Sequence, residues 1–284
     1  MPIVSLKDIL DHAFAERYGV AAFNVVNDLT IDAVIAAAEE VRSPLIVQTS
    51  VKTVNSMGAD VLYQLFRAIA EPARVPVTLH LDHCPDREVV TRCLQTGWNS
   101  VLFDGSALTV EENTRQTIEV VAEARRHGAH VEGEIEGVRG VEDGIGSDDA
   151  PQVYPIEEAV AFLEATEVDC FAPAIGTAHG VYATAPILNP ERVTQLVARK
   201  ALPMVLHGGT GLSATAFQDL IARGCAKVNI STALKITFLD ATRDFLADNP
   251  TKQDPPSLFR HQRAAVKAMA EEYLNVFGSA GKAW

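Results

Sequence analysis

Residues 77–106 read VTLHLDHCPDREVVTRCLQTGWNSVLFDGS, two short apolar runs with an amphipathic segment between them. The runs VTLHLD (77–82) and SVLFD (100–104) have the length of buried strands, whereas apolar residues three or four apart favour a helix over 87–95. A strand, a helix and a second strand in that order predict two parallel strands covered by the helix.

The same alternation continues along the chain. The strand-like runs are VAAFNV (20–25), LIVQT (45–49), VTLHLD (77–82), SVLFD (100–104), HVEGEI (130–135), CFAPAI (170–175), MVLH (204–207) and KVNI (227–230). Helices are expected at 31–41, 60–70, 87–95, 111–126, 156–166, 190–199, 214–223 and 233–247. Eight units in about 230 residues predict the α/β class and a single (β/α)8 TIM barrel, one domain over 1–284. The alternative is an open doubly wound sheet, although no G-x-G-x-x-G follows the first run.

Two segments depart from this alternation. Residues 136–154, EGVRGVEDGIGSDDAPQVY, hold four glycines and many acids, which predicts a long loop after the fifth strand and a candidate lid. Residues 249–257 read as a linker into an extra C-terminal helix at about 258–277. This helix would cap the barrel or reach a partner subunit.

Composition limits the partners and the compartment. The chain is 48% hydrophobic and 21% charged, as in ordinary globular proteins, and its net charge of −13 comes without a basic cluster. We therefore expect no nucleic-acid and no membrane partner, because both need a basic surface. Four cysteines without a C-x-x-C pair, and an N-terminus without a signal-peptide pattern, predict a cytoplasmic protein.

Three histidines follow predicted strands: His83 after the third, His179 after the sixth and His207 after the seventh. The carboxyl ends of barrel strands meet at one face, so these imidazoles can converge on one ion and leave a coordination position open, as in catalytic zinc sites. A lone histidine is more often a core or surface residue, but the joint placement favours a zinc site. His80, inside the third run, is expected to be a hydrogen-bonded interior residue.

Acidic residues accompany these histidines. Asp82 directly precedes His83 and either moves protons on a bound substrate or orients a histidine. Glu134 would be an extra metal ligand or a group that orients one, and Glu132 shares its strand face, so the pattern does not choose between them. Glu142, in the glycine-rich loop, either swings in as a second acid/base or is a solvated loop residue.

The segments HGGTG (207–211) and NIST (229–232) follow the last two strands. Loops at these positions of such barrels often hold phosphate through backbone N–H groups and a helix N-terminus. Thr210, Ser231 and Thr232 would add hydroxyl donors. The alternative is a plain turn and a capped helix.

Taken together, these motifs resemble the class II fructose-bisphosphate and tagatose-bisphosphate aldolase family. The segments that carry the resemblance are AFNVVN (22–27), LHLDHC (79–84), SVLFDGS (100–106), EGEI (132–135), GTAHG (176–180), LHGGTG (206–211), KVNISTALK (227–235) and FGSAGKA (277–283). They span nearly the whole chain in the expected order.

The resemblance implies a role for each matching position. His83, His179 and His207 would bind the catalytic Zn²⁺, which polarises the substrate carbonyl, and Asp82 would be the acid/base at the C4 hydroxyl. The phosphate of the dihydroxyacetone phosphate half would be held by Gly180, Gly208, Thr210, Asn229, Ser231 and Thr232. Asn24 would face the site. Glu134 matches a position that can hold a displaced or second metal, and Glu142 matches a mobile acid/base. A monovalent cation (Na⁺ or K⁺) near the phosphate is also expected.

Two positions depart from the fructose-type pattern. Ser231 stands where fructose-type members commonly carry an acid, and the small residue leans toward tagatose-type members. Arg263, with Arg260 as the alternative, lies where a cation for the far phosphate is supplied, potentially to a neighbouring subunit. If neither reaches the site, the aldehyde product lacks a phosphate. We expect a homodimer or a homotetramer.

The predicted activity is reversible zinc-dependent aldol cleavage of a ketose 1,6-bisphosphate, of fructose or tagatose type, to dihydroxyacetone phosphate and an aldehyde. One alternative is a metal-dependent lyase for another phosphorylated or acidic sugar. A second is a non-catalytic partner subunit, which would have lost a ligand or Asp82. A Schiff-base aldolase using Lys235 is a third, although Lys235 lies beyond the strand end.

Overall fold

The computed structural model describes residues 2–142, 145–147, 152–182, 184 and 186–284, and for 141–142 and 145–147 it describes the backbone alone. The strands in this part of the chain are β1 (Val20–Asn24), β2 (Leu45–Ser50), β3 (Val77–Cys84), β4 (Ser100–Phe103), β5 (His130–Gly133), β6 (Gly140–Glu142), β7 (Ile145–Ser147), β8 (Cys170–Phe171), β9 (Met204–Leu206) and β10 (Cys225–Ile230). β6 and β7 pair antiparallel as a hairpin.

The remaining strands close a parallel barrel in the order β1-β10-β9-β8-β5-β4-β3-β2. Each overlaps a run that the sequence assigned to a strand, so the barrel prediction is confirmed and the open doubly wound sheet is wrong. β8 is shorter than its run, because the backbone N–H of Ala174 bonds the Glu136 carboxylate at 2.8 Å instead of a neighbouring strand.

Helices cover the barrel. In the described residues they are α1 (Leu6–Glu16), α2 (Asp28–Val41), α3 (Val51–Met57), α4 (Ala59–Ala70), α5 (Arg87–Thr96), α6 (Val110–Arg126), α7 (Ile156–Thr166), α8 (Pro190–Arg199), α9 (Ala214–Arg223), α10 (Thr232–Asp248) and α11 (Pro255–Val276). All nine predicted helices are present, counting α11 as the C-terminal one, which packs on α2 and α10. α11 begins three residues before the expected 258 because prolines are favoured in a first helical turn.

The sequence analysis was wrong about three local elements. It left out α1 and α3, and it described 136–154 as loop alone, whereas this segment contains the β6–β7 hairpin. Local sequence still explains the helix starts. Asn27, for example, begins α2 with a capping box in which its side chain accepts from the backbone N–H of Thr30. The single-domain division and the lid stay predictions.

The barrel interior changes character along its axis. At the amino ends of the strands, α1 inserts Leu6, Ile9 and Leu10 into an apolar cluster with strand residues such as Val20 and Ala226. Nearer the carboxyl ends the interior is polar. Buried side chains there are Gln48, His80, Glu132, Lys227 and Asn229. As predicted, His80 is an interior residue, with its Nδ1 2.9 Å from the Ser100 hydroxyl.

No helix in the described part of the chain combines the length and the apolar character needed to span a membrane.

Candidate active site and metal centre

Three imidazoles meet at the carboxyl ends of the barrel strands. His83 lies in β3, His179 in the segment after β8 and His207 directly after β9. The ring centroid of His83 lies 5.0 Å from that of His179 and 4.6 Å from that of His207. One nitrogen from each ring lies within 4.8 Å of the nitrogens of the other two. Residues distant in sequence therefore form one cluster that could hold a metal ion.

A bulge in β3 directs two consecutive residues to this site. The pairing of β3 with β4 shifts register between Leu81 and Cys84, and His83 has a left-handed φ of 39°. In a regular strand, neighbouring side chains point to opposite faces, so Asp82 and His83 could not both line the mouth of the barrel, which is its face at the carboxyl ends of the strands. The positive φ is unfavourable for a residue with a side chain, and such local strain is typical of functional sites.

Carboxylates outside the cluster orient two of the histidines. Asp104 Oδ2 lies 2.9 Å from His83 Nδ1, and Glu132 Oε1 lies 2.7 Å from His207 Nε2. Because ionised carboxylates only accept, each contacted nitrogen carries the proton and the opposite ring nitrogen is left with a lone pair. The role of Asp104 was not predicted, although Asp104 follows the strand next to β3, whereas the sequence pattern had left the orienting role open between Glu132 and Glu134.

One ring nitrogen of each of the three clustered histidines has no hydrogen-bond partner in the described part of the chain. They are His83 Nε2, His179 Nδ1 and His207 Nδ1, and all three are buried. A buried polar atom without a partner is costly, so three in one cluster indicate that a ligand completes them. Three histidine nitrogens that leave a coordination position open are the donor set of catalytic zinc sites, and the residues present therefore fit this metal.

Burial and neighbouring charges set the protonation of the cluster. Burial lowers the pKa of His179 to about 3, aided by the charge of His83. It also lowers the pKa of His207 well below its usual range, which keeps both rings neutral as metal binding requires. Burial acts in the same direction on His83, but the carboxylates of Asp82, Glu134 and Asp104 outweigh it and raise the pKa of His83 well above its usual range.

Two amides hold the Asp82 carboxylate at the edge of the cluster. Asn24 Nδ2 donates to Asp82 Oδ2 at 2.8 Å, and Asn229 Nδ2 donates to Asp82 Oδ1 at 3.1 Å. Burial alone would raise the pKa of Asp82, but His83 and Lys227 are the leading influences that lower it to about 2. The carboxylate is thus ionised at neutral pH. Since Asp104 and Glu132 orient the histidines, proton transfer is the better of the two predicted roles for Asp82.

Glu134 also borders the cluster. It forms a second group with His83 and Asp104 whose atoms could hold a metal ion. Its Oε2 lies 3.1 Å from His207 Nδ1, and neither atom has a hydrogen bond of good geometry within the described residues. Burial raises the pKa of Glu134 well above its usual range. Its role as an extra ligand stays a prediction.

Beside the histidines lies a small cavity. Its lining is formed by His179, Gly180, Gly208, Gly209, Thr210, Asn229, Ser231 and Thr232, which includes every residue predicted to hold the phosphate of the three-carbon half. Ser231 precedes α10, and its buried Oγ has no partner in the described part of the chain. The structure thus brings a helix N-terminus and a free hydroxyl to one cavity, as an anion site needs.

Two glycines keep this cavity open. Gly208 has a φ of 68°, and a Cβ there would lie 2.5 Å from the carbonyl oxygen of Ala178. Gly180 has a φ of 89° and open space where a side chain would be. The side chain of Tyr182 fixes the two loops, because its hydroxyl donates to the carbonyl oxygen of Gly208 at 2.6 Å and accepts from the backbone N–H of Ala178.

The arginine predicted for the far phosphate is not brought to this cavity. Arg263, on α11, pairs with Asp32 on α2 and does not belong to the cavity lining. Arg260, the alternative, donates to the Ser257 hydroxyl at 2.8 Å. The side chain of Glu142 lies outside the described part of the chain, so its predicted role is not tested.

Comparisons with known proteins agree with this geometry. Residues 4–282 match the family described as "Fructose-bisphosphate aldolase class-II". The chain is 36% identical over 285 residues to the sulfofructosephosphate aldolase of Alkalicoccus urumqiensis, covering 100% of this chain and 99% of the relative. It is 35% identical over 283 residues to the D-tagatose-1,6-bisphosphate aldolase subunit GatY of Klebsiella oxytoca, covering 99% of this chain and 100% of that one.

The fold agrees with a solved relative as well. The crystal structure of the YdjI aldolase from Escherichia coli K12 superposes with a TM-score of 0.87 at 33% identity, covering 99% of this chain and 100% of that one. Members of the matched family are lyases that need a metal, and the match extends over almost all residues. The chain therefore belongs to the class II fructose-bisphosphate aldolase family and is a metal-dependent lyase.

Proposed function

We propose that this enzyme catalyses reversible aldol cleavage of a ketose 1,6-bisphosphate to dihydroxyacetone phosphate and an aldehyde, with a zinc ion held by His83, His179 and His207. The observation that supports the metal most directly is that His83, His179 and His207 each bring one ring nitrogen within 4.8 Å of the others, and each also has a buried ring nitrogen without a partner among the described residues. When bound, zinc would supply a Lewis acid that polarises the substrate carbonyl.

Asp82 is the residue that moves the proton. It takes the proton of the C4 hydroxyl while the C3–C4 bond breaks, and the electron pair of that bond stays with the three-carbon half, which later takes up a proton. Because its pKa is lowered to about 2, the Asp82 carboxylate is ionised and has a free site for a proton before the reaction begins. Asn24 and Asn229 hold both carboxylate oxygens, so the base has a fixed position before the substrate arrives.

The cavity at the start of α10 binds the phosphate of the three-carbon half. Gly180 and Gly208 allow close approach of the backbone, and Thr210, Ser231 and Thr232 offer hydroxyls. This phosphate would place the reacting carbons beside His179, because His179 lines the same cavity.

The site residues restrict the identity of the substrate sugar less than they restrict the reaction type. Ser231 favours a tagatose-type over a fructose-type bisphosphate, as the departure from the fructose pattern implies. The pairing of Arg263 with Asp32 supports a second candidate, a ketose 1-phosphate whose far end is not a phosphate. The sulfofructosephosphate aldolase at 36% identity is a relative named for a substrate of that kind.

Several further features belong to the proposal. Glu134 would hold a displaced or second metal, Glu142 would act as a mobile acid/base, and a monovalent cation would sit near the phosphate. The enzyme would be a cytoplasmic homodimer or homotetramer, with Arg263 serving a far phosphate if it leaves Asp32. The four cysteines are free and buried, which suits a reducing compartment.

A coupled cleavage assay tests this function. The zinc-loaded enzyme would be compared on fructose 1,6-bisphosphate, tagatose 1,6-bisphosphate and sulfofructose 1-phosphate, with and without EDTA. We expect cleavage of at least one ketose, abolished by EDTA and restored by added zinc. No cleavage of any of the three, or full activity in excess chelator, would contradict the proposal.

A further inference from the structure

Lys227 is a buried cation beneath the active site for which the proposed chemistry gives no role. It lies on β10 with no exposed surface. Its Nζ lies 2.7 Å from Glu132 Oε2 and 2.8 Å from Asn229 Oδ1. A lysine buried in this way is rare and must be fully paired, so its position in the barrel calls for a physical reason.

The two partners of Lys227 lead to the two halves of the active site. Glu132 connects Lys227 to the metal cluster, because Glu132 Oε1 lies 2.7 Å from His207 Nε2. Asn229 connects Lys227 to the proton-transfer group, because Asn229 Nδ2 donates to Asp82 Oδ1 at 3.1 Å. Lys227 thus joins a metal ligand and the acid/base in one hydrogen-bonded chain.

The chemistry of an ammonium group decides which way the Asn229 amide turns. An ammonium has three donors and no acceptor, so Asn229 must present its oxygen to Lys227. The NH₂ group is then left on the opposite side, where it can donate to the Asp82 carboxylate. The Asp82 carboxylate, which only accepts, favours the same orientation, so without the ammonium the amide would be held from one side alone.

We propose that Lys227 is a positioning residue that orients the Asn229 amide toward Asp82 and holds Glu132 on His207. This inference deepens the proposed function and rests on it, since the groups that Lys227 positions are those that bind the metal and move the proton. Lys227 itself touches neither the substrate nor the metal in this scheme.

The chain contains its own comparison for this role. Asn24 also donates to Asp82, at 2.8 Å, but its oxygen accepts from Gln48 Nε2 at 2.6 Å. Two amides therefore flank one carboxylate, and different donors fix them. Loss of the Lys227 ammonium should release Asn229 and leave Asn24 in place.

A double-mutant cycle on kcat tests the proposal. We expect Lys227→Met in the zinc-loaded enzyme to lower kcat about 10–100-fold with KM changed less than about threefold, as for other groups that orient active-site residues. Asn229→Ala should lower kcat by a similar factor. If Lys227 acts through Asn229, the double variant should have a kcat within about twofold of the poorer single variant.

Two results would overturn it: a Lys227→Met enzyme with kcat within about twofold of the parent, or single effects that multiply in the double variant. Arg192→Met is the matched control, because Arg192 is the cation of another buried ion pair, with Glu136. Its effect on kcat should multiply with that of Asn229→Ala. If Lys227→Met does not fold, it is combined with Glu132→Gln, which leaves neither charge of the buried pair without its partner, and the cycle is run against Glu132→Gln as the parent.

Side-chain amide exchange measured with selectively ¹⁵N-labelled asparagine separates this inference from the proposed function. In Lys227→Met, we expect the Asn229 amide protons to exchange with solvent at least about tenfold faster, while those of Asn24 keep their rate. Unchanged exchange at Asn229 contradicts the positioning role even if the enzyme is an active aldolase. A parent enzyme that cleaves no ketose contradicts the proposed function and leaves this readout decisive for Lys227.

Discussion

At the amino ends of the strands the barrel is filled by α1 and by apolar residues such as Leu10 and Val20, whereas at the carboxyl ends it holds His207, Glu132 and Lys227. The first region gains free energy by removing apolar surface from water. The second buries charges and polar atoms, which costs desolvation and is tolerated when each group is paired. Stability and chemistry are thus assigned to opposite ends of one interior.

Hydrogen-bond satisfaction follows the same division. Among the buried atoms without a partner in the described residues, nitrogens of all three clustered histidines and the Ser231 hydroxyl lie at the mouth. The α1 end is lined by side chains with few polar atoms to satisfy. Groups left incomplete in the protein alone are those that a metal and a phosphate would complete, so the polar end is built for ligands rather than for stability.

The strongest test of this division is His207→Ala. Removing one of three imidazoles should lower zinc content and reduce kcat/KM about 10³-fold or more, because carbonyl polarisation by the metal contributes several kcal/mol. The measurement is the cleavage assay together with zinc per chain by elemental analysis. His127→Ala, which removes an exposed histidine at the end of α6, is the control and should change neither value. An active, zinc-replete His207→Ala enzyme would contradict the metal assignment.

Asp82→Asn should have the next largest effect. The change keeps the size of the side chain but removes the base, so we expect kcat to fall about 10²–10⁴-fold while zinc content stays at the parent level. Asp60→Asn, at an exposed aspartate that pairs with Arg92, should leave kcat unchanged. A kcat within about tenfold of the parent in Asp82→Asn would assign the proton transfer to another group.

These functional groups differ in how readily the sequence predicts them. The eight strands follow from short apolar runs, and His83, His179 and His207 follow because the fold brings strand ends together. Asp104 was missed, and Glu132 was left open with Glu134, because these carboxylates contact histidines 21 and 75 residues away and no local pattern specifies such a pair. That information lies in strand order and register.

The other features that the sequence did not predict depend on position in the chain or on contacts made only in the fold. α1 lies before the first strand, outside the β/α alternation, and the bulge at His83 depends on pairing with β4 rather than on a turn residue. Lys227 reads as one polar residue in a strand, because its partners Glu132 and Asn229 become neighbours only when the barrel closes. Sequence periodicity predicts elements, but it does not predict which buried polar atoms meet.

At the opposite end of the barrel, Leu10→Ala should affect stability instead of chemistry. Leu10 is buried against the strand starts, so truncation should lower the free energy of unfolding by about 2–5 kcal/mol through lost burial and a cavity. The kcat at 25 °C should stay within about twofold of the parent. Urea denaturation measures the free energy of unfolding.

Leu239→Ala, at a half-exposed leucine of α10, is the control and should change the free energy of unfolding by no more than about 0.5 kcal/mol. A loss of kcat in Leu10→Ala without loss of stability would contradict the division.

Ser231→Ala has the smallest expected effect and tests whether the Ser231 hydroxyl contributes to substrate binding rather than to the stability of the fold. The Ser231 hydroxyl is buried and has no partner in the described part of the chain, so its removal breaks no internal hydrogen bond and should change unfolding free energy by less than about 0.5 kcal/mol. If it donates to the phosphate, its loss should raise KM about tenfold, since a hydrogen bond to a charged group contributes about 1.5 kcal/mol.

Ser100→Ala is the matched control for this change. The Ser100 hydroxyl is also buried but contacts His80 Nδ1 at 2.9 Å and the carbonyl oxygen of Leu79 at 3.3 Å. Its removal should cost about 1 kcal/mol of unfolding free energy and leave KM within about twofold of the parent. The two serines thus exchange roles: one contributes to binding and the other to the fold. If Ser231→Ala destabilised the protein while KM stayed constant, its hydroxyl would serve the fold after all, and the mouth would not be the region where binding is gained at no cost to stability.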